Sequence, residues 1–343
     1  MAKKARKPFR KAGSKAGQSR RGMSGKATPS PSGDRRALER VHVDVHALLE
    51  QQDFQTIGEA NEFLAREVTG RVPPRATPAT DLARAQDRMY DAFEATSRRQ
   101  RIKLAREALT ISADCADAYV LLAEEEAKTP EQALELYQQG VEAGERALGP
   151  QAFDELKGSF WGFLETRPYM RAREGLAMFL WAVDRREEAM AHLQAMLELN
   201  PNDNQGVRCL LAMWLLELRR LDALGALLKQ YRDDAMIEMV WANALWTFLT
   251  KGPEAAARRC FRKAVERNPH VMFLLLEKHA PELPTGYITV GGEDEAASLL
   301  HHLLPVLGQH DDIGQWFAQE TRALISKPLP DGPPAPTRGW RPH

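Results

Sequence analysis

Three frames of 34 residues, opening at Met170, Asn204 and Glu238, lie in register along the chain. Their eleventh places hold Leu180, Trp214 and Phe248, and their twentieth hold Ala189, Ala223 and Ala257. The twenty-fourth holds Leu193, Leu227 and Phe261, and the thirty-second Pro201, Ala235 and Pro269. A period of this length has room for one helical hairpin and no more. Such a hairpin cannot bury its apolar face alone, so neighbours must stack and share a core. Alanine where two helices cross lets their backbones approach, and the large side chains fill the space between hairpins. Asn200-Pro201 and Asn268-Pro269 read as helix stops, since Asn tolerates a left-handed cap and Pro cannot continue a helix.

A small residue at the crossing, with Pro after the second helix, is the tetratricopeptide signature. The match has departures: the eighth place holds Ala177 but then Leu211 and Leu245, and only Trp241 supplies the Trp favoured at the fourth. The expected fold is all-α, a tetratricopeptide-like right-handed helical-hairpin solenoid with a disordered basic N-terminal tail and a Pro-rich C-terminal tail.

The rest of the chain is arranged around residues 170–270. Residues 1–33 read as a disordered basic tail and 34–113 as an N-terminal helical region. A further hairpin spans 114–148, its second helix capped by Thr129 with Pro130 at the first position. Residues 149–169 are an aromatic insert whose Phe160 and Trp161 either pack over the array or cover a groove. Residues 271–326 read as capping helices, with Tyr287 to Val290 extended, and 327–343 as a disordered tail. In the first helix Leu38, Val41, Val45, Leu48 and Leu49 share one face, with Asp34 as N-cap.

The formal net charge of zero hides an asymmetry, because residues 1–36 carry twelve Lys or Arg against Asp34 alone. An arm of about +11 attracts polyanions without reading their sequence, so weak nucleic-acid contact through residues 1–36 is one expectation, and a solubilising tail the other. Cys115, Cys209 and Cys260 have no metal-ligand spacing and read as small core residues in a reducing compartment. No apolar run is long enough to cross a bilayer, and no secretory signal opens the chain, so no membrane partner and a cytoplasmic location are expected.

The segment from Cys115 to Ala127, Cys-Ala-Asp-Ala-Tyr-Val-Leu-Leu-Ala-Glu-Glu-Glu-Ala, is introduced by Ala108-Leu109 and Ile111. It resembles the core segment of the suppression-of-tumorigenicity-seven family. Asn268 to Val271 followed by Leu274 to Glu277 is similar to a second segment of that family, and Gly291 to Ala297 falls where it has another acidic helix start. The resemblance covers about Ala108 to Leu307. It implies divergent tetratricopeptide-like repeats and brings no catalytic residues. Eukaryotic members carry hydrophobic spans that this chain lacks, so it looks like the soluble bacterial relatives.

Reaction chemistry has no foothold in the pattern. His42 and His46 lie four apart without a third ligand. Glu293, Asp294 and Glu295 point in different directions around a helix, and with His301, His302 and His310 they match no ligand spacing. No phosphate-cradling loop, nucleophile elbow or zinc set is present, so neither enzyme activity nor a cofactor or metal is expected. Binding is the expectation instead. In tetratricopeptide arrays the inner wall comes from the second, fifth, ninth and twelfth places of each repeat. Here these are Arg171, Glu174, Met178 and Trp181; Gln205, Arg208, Ala212 and Leu215; and Met239, Ala242, Trp246 and Leu249. A largely apolar groove with Arg171 and Arg208 at one end suits a peptide or an amphipathic helix bearing an acid. The alternative is that Met178, Trp181, Trp246 and Leu249 are core. The function expected is a non-enzymatic protein-interaction scaffold, and the alternative a nucleic-acid- or ribosome-associated factor using the basic arm.

Overall fold

The structure, a computed structural model, describes residues 35–276 and 288–325, and every regular element among them is a helix. Asp34, both tails and Tyr287 lie outside the described residues, and Ile288 to Val290 form no strand. The N-terminal region supplies α1 (Arg35–Glu50), α2 (Ile57–Glu67), α3 (Asp81–Glu94) and α4 (Arg98–Ile111). Next come α5 (Ala116–Glu125), α6 (Pro130–Glu155), α7 (Arg167–Ala182), α8 (Arg186–Leu199), α9 (Val207–Glu217) and α10 (Leu221–Gln230). The chain continues with α11 (Ile237–Lys251), α12 (Ala255–Arg267), α13 (His270–Leu276), α14 (Glu293–Gln309) and α15 (Asp311–Ile325).

Helix starts follow side-chain chemistry. The hydroxyls of Thr56, Thr80 and Thr129 accept hydrogen bonds from the amides of Glu59, Ala83 and Gln132, and Gln132 reaches back to the Lys128 amide at 3.0 Å. Helix ends depart from the expected chemistry. Asn200 and Asn268 are not left-handed, with φ of −142° and −155°. The Asn268 side chain instead donates to the Gly292 carbonyl and to Glu295, tying the end of α12 to the start of α14. Positive φ occurs instead inside the hairpins, at Asp184, Arg219 and Gly252, and in the α8–α9 connection at Asp203 and Gly206.

From α3 onward the helices pack in sequential pairs, α3 with α4 through α11 with α12, and each pair touches the next through α4 on α5, α6 on α7, α8 on α9 and α10 on α11. First helices also meet across pairs, α5 on α7 and α9 on α11. Ala189, Ala257, Leu193 and Phe261 are fully buried, as the periodic pattern requires. Trp214 stacks on Trp181 with ring centroids 4.1 Å apart. At the far end Trp241 and Phe261 meet Phe317, and Phe248 stacks on Trp316 at 4.3 Å, which seats α15. The helix α14 packs on α9 and α11.

The aromatic insert joins the core through Phe160, whereas Trp161 is half-buried and Phe163 exposed. Gly149 (φ 68°, ψ 164°) breaks α6, and Pro150 restarts it. Two short 3-10 turns, Phe160–Gly162 and Leu164–Thr166, then lead into α7. Phe160 is fully buried against Phe153 and Tyr169 at the α6–α7 junction. That junction is tight: a Cβ at Gly144 would lie 2.8 Å from the Tyr169 Cβ and 3.0 Å from its Cα. Alanine is the better helix former, but here it would push against backbone. Gly144→Ala is expected to lower stability by about 1–3 kcal/mol in urea unfolding, and an unchanged or raised stability would show that the junction has slack.

Candidate functional site

The helix α1 departs from the expected orientation in its first half, whereas Val45, Leu48 and Leu49 of the same apolar face are half-buried. Its charged side faces the array, with Glu39, Arg40 and Asp44 each 6% exposed, whereas Leu38 is 58% and Val41 40% exposed. Periodicity identifies the apolar face of a helix but not the nature of the surface it meets. Here that surface is itself charged, formed by Asp87 and Asp91 on α3, Asp117 on α5, and Arg167 and Arg171 on α7.

Arg171 is the centre of the arrangement. Its guanidinium donates to Asp117 at 2.6 and 2.8 Å and to both oxygens of Glu39 at 2.8 and 2.9 Å. Arg167 reaches Glu39 at 3.4 Å, and Gln86 donates to Asp117 at 2.7 Å. Next along α1, Arg40 pairs with Asp87 at 2.8 Å and Asp91 at 2.7 Å, and Asp44 accepts from the Ala76 amide at 2.8 Å. Burial pushes the Asp117 carboxyl up, but Arg171 and Gln86 outweigh it and hold it below the usual carboxylate range. Burial alone would likewise lower the Arg171 pKa, and Asp117 and Glu39 raise it instead. Arg171 and Asp117 are thus held as a charged, hydrogen-bonded pair, which a charge group out of water requires, whereas one terminal nitrogen of Arg40 has no hydrogen-bond partner.

The other expected groove residues are dispersed. Glu174 accepts from Gln205 at 2.6 Å, and burial, opposed by that bond, raises its pKa. Arg208 is held by Asp203 at 3.0 Å and by Asp234, and lies over the Tyr231 ring. Met178 is 47% exposed on α7. Trp181 is half-buried between Trp214 and the Arg186 guanidinium. Trp246 donates to the Leu221 carbonyl at 2.9 Å and lies against Gly225 of α10, and Leu249 packs half-buried on the core. Ala212, Leu215, Met239 and Ala242 are buried on α9 and α11, the helices that α14 packs on.

Sequence reasoning missed Glu39, Asp87, Asp91, Asp117 and Arg167. One signal was present: Asp117 stands between Ala116 and Ala118 in an otherwise apolar helix start, and a lone acid there needs a partner. Glu125 and Glu126 are paired with Arg101 and Arg106. His46 meets Glu50 at 3.3 Å, His310 lies on the Glu217 carbonyl, and Glu295 binds Arg267. Among the described residues no three His, Cys, Asp or Glu side chains converge as a metal site, and no helix is long and apolar enough to cross a membrane. Burial pushes the Cys115 thiol up to about 12, so it stays protonated at neutral pH.

A cavity of about 410 Å³ lies beneath α1, walled by the Ala76–Thr80 loop, α3 and the α6–α7 junction.

A family model described as ST7 protein matches residues 77–195. The chain is similar to ST7 proteins. The human Suppressor of tumorigenicity 7 protein-like is 32% identical over 248 residues, covering 63% of this chain and 42% of the relative. The chicken protein of the same name is 31% identical over 250 residues, covering 64% and 44%. The rat Suppressor of tumorigenicity 7 protein is 30% identical over 215 residues, covering 53% and 35%. The chain spans about two-fifths of the length of the first two relatives. The stretch matched by the family model contains Asp87, Asp91, Asp117, Arg167 and Arg171; the helix α1 precedes it.

Removing one partner from a buried charge cluster leaves the others uncompensated. Arg171→Met is expected to cost about 3–5 kcal/mol in chemical unfolding, and adding Asp117→Asn and Glu39→Gln should recover most of that loss. A cost below about 1 kcal/mol, the scale of a surface pair, would contradict the account.

Proposed function

We propose that this chain is a non-enzymatic protein-interaction scaffold related to the ST7 proteins of soluble, bacterial type. Its hairpins act as a right-handed tetratricopeptide-like solenoid whose inner face holds a helix. One observation carries the reading: α1 lies against α3 and α7 with Glu39 on Arg171 and Arg167 and Arg40 on Asp87 and Asp91. The array thus already accommodates a helix, and selects it by an acid-base pair of adjacent residues. The partner inferred is an amphipathic helix presenting the same pair, which displaces α1 and takes its place. Met178, exposed on α7 two turns beyond Arg171, offers an apolar contact. The protein works in the cytoplasm on this reading.

A second reading rests on the charge of residues 1–36, which suits loose contact with nucleic acid or a ribosome. Capture from native lysate with the full chain, with and without nuclease, separates the two. Under the scaffold reading, nuclease-resistant partners are enriched several-fold by Glu39→Lys, which repels α1 from Arg171, and are lost with Arg171→Glu. Capture that disappears with nuclease and ignores both variants would transfer the function to the basic arm.

A further inference from the structure

The seat of α1 is filled unevenly along its length. In the first half, Glu39 and Arg40 are buried and bonded to Arg171, Asp87 and Asp91. One turn later the fit loosens. Val43 and Ala47 follow Glu39 on the same face at intervals of four residues. Both are only half-buried, and they form part of the α1 wall of the cavity of about 410 Å³. Across that cavity stand Leu82 and Ala83 of α3, Ala147 of α6, and Leu164 and Pro168 of the α6–α7 junction. The wall is mainly apolar.

Protein interiors fill space to crystal-like density, and side chains that border a cavity lose the contacts that a neighbour would supply. About 150 Å³ is enough to hold a benzene ring, so the space beside Val43 and Ala47 exceeds what one aromatic side chain needs. The side chains that α1 directs there are short: Ala47 ends at its Cβ, and Val43 reaches one carbon further. Leu38 and Val41 of the same helix are turned outward. The helix thus meets the charges of its seat and underfills the apolar part. An occupant of this kind is displaceable, because a competitor that matches the charged pair and also fills the space binds more tightly.

We propose, resting on the helix-docking reading, that α1 is an undersized occupant of its seat. The partner helix carries a bulky apolar side chain, leucine-sized or aromatic, at one or both of the places that Val43 and Ala47 take in α1. Its recognition pattern is an acid followed directly by Arg, with large apolar residues three and seven places after that Arg. The acid meets Arg171 and Arg167, the Arg meets Asp87 and Asp91, and the apolar side chains enter the cavity against Leu82, Leu164 and Pro168. Charge sets the register of the helix, and the apolar insertion gives it the advantage over α1.

The test uses the full chain carrying Glu39→Lys, whose own α1 is repelled from Arg171, and fluorescently labelled peptides of residues 35–50 read by anisotropy. The peptide of natural sequence should bind, and the peptide carrying Ala47→Phe should bind at least about tenfold more tightly. A peptide carrying Val41→Phe adds its ring on the outward face and should change the affinity by no more than about twofold. If the natural peptide binds and Ala47→Phe brings no gain, or Val41→Phe brings an equal one, this inference is overturned while the docking reading stands. Absence of binding by all three peptides would overturn the docking reading and this inference with it. Should the Glu39→Lys chain fail to fold, Ala47→Phe in the natural full chain decides alone. Its Tm should rise by about 2 °C or more, and an unchanged or lowered Tm overturns the inference.

Discussion

A guanidinium removed from water must be surrounded by acceptors, and in this chain that requirement ties together helices far apart in sequence. Arg171 of α7 takes Asp117 from α5 and Glu39 from α1. Hydrophobic burial is indifferent to direction, and the hairpin core would tolerate small shifts of one pair on another. The Arg171 cluster adds a directional constraint, because its five donors accept only a narrow range of carboxylate positions. Replacing such a cluster with apolar groups commonly leaves a protein as stable or more so. Its use here is therefore one of placement: it specifies where α1 lies.

That placement has an energetic oddity. Exposing Leu38 and Val41 while burying Glu39, Arg40 and Asp44 forgoes apolar burial that a rotated α1 would gain. The cost is accepted because the receiving surface offers Asp87, Asp91, Arg167 and Arg171, each of which would lose a partner beneath an apolar helix. A helix held this way is selected by its charge pattern, and another helix with the same pattern meets the same acceptors.

Much of the fold was legible from the residues. The Thr cap at 129, the buried alanines at 189 and 257 and the aromatic places at 214 and 261 follow from local chemistry and from a repeated apolar period. The left-handed turns at Asp184 and Arg219 were not legible, because neither residue advertises positive φ as glycine does at 252. The candidate site was half legible. Arg171 was marked by its place in the repeat, but its partners come from two other helices, and no spacing along the chain relates residues 39, 117 and 171. Face periodicity missed the charged seat of α1 because it records what a helix can bury, not what waits for it.

The claim that α1 is docked by charge is tested most directly by amide hydrogen exchange on the full chain, comparing the natural sequence with Glu39→Lys. The account predicts that residues 35–50 lose protection in the variant while α5 and α7 keep theirs, since only the seat of α1 has been disturbed. Protection of residues 35–50 that survives Glu39→Lys would mean that something other than the Arg171 cluster holds α1, and the helix-docking account would fall with it.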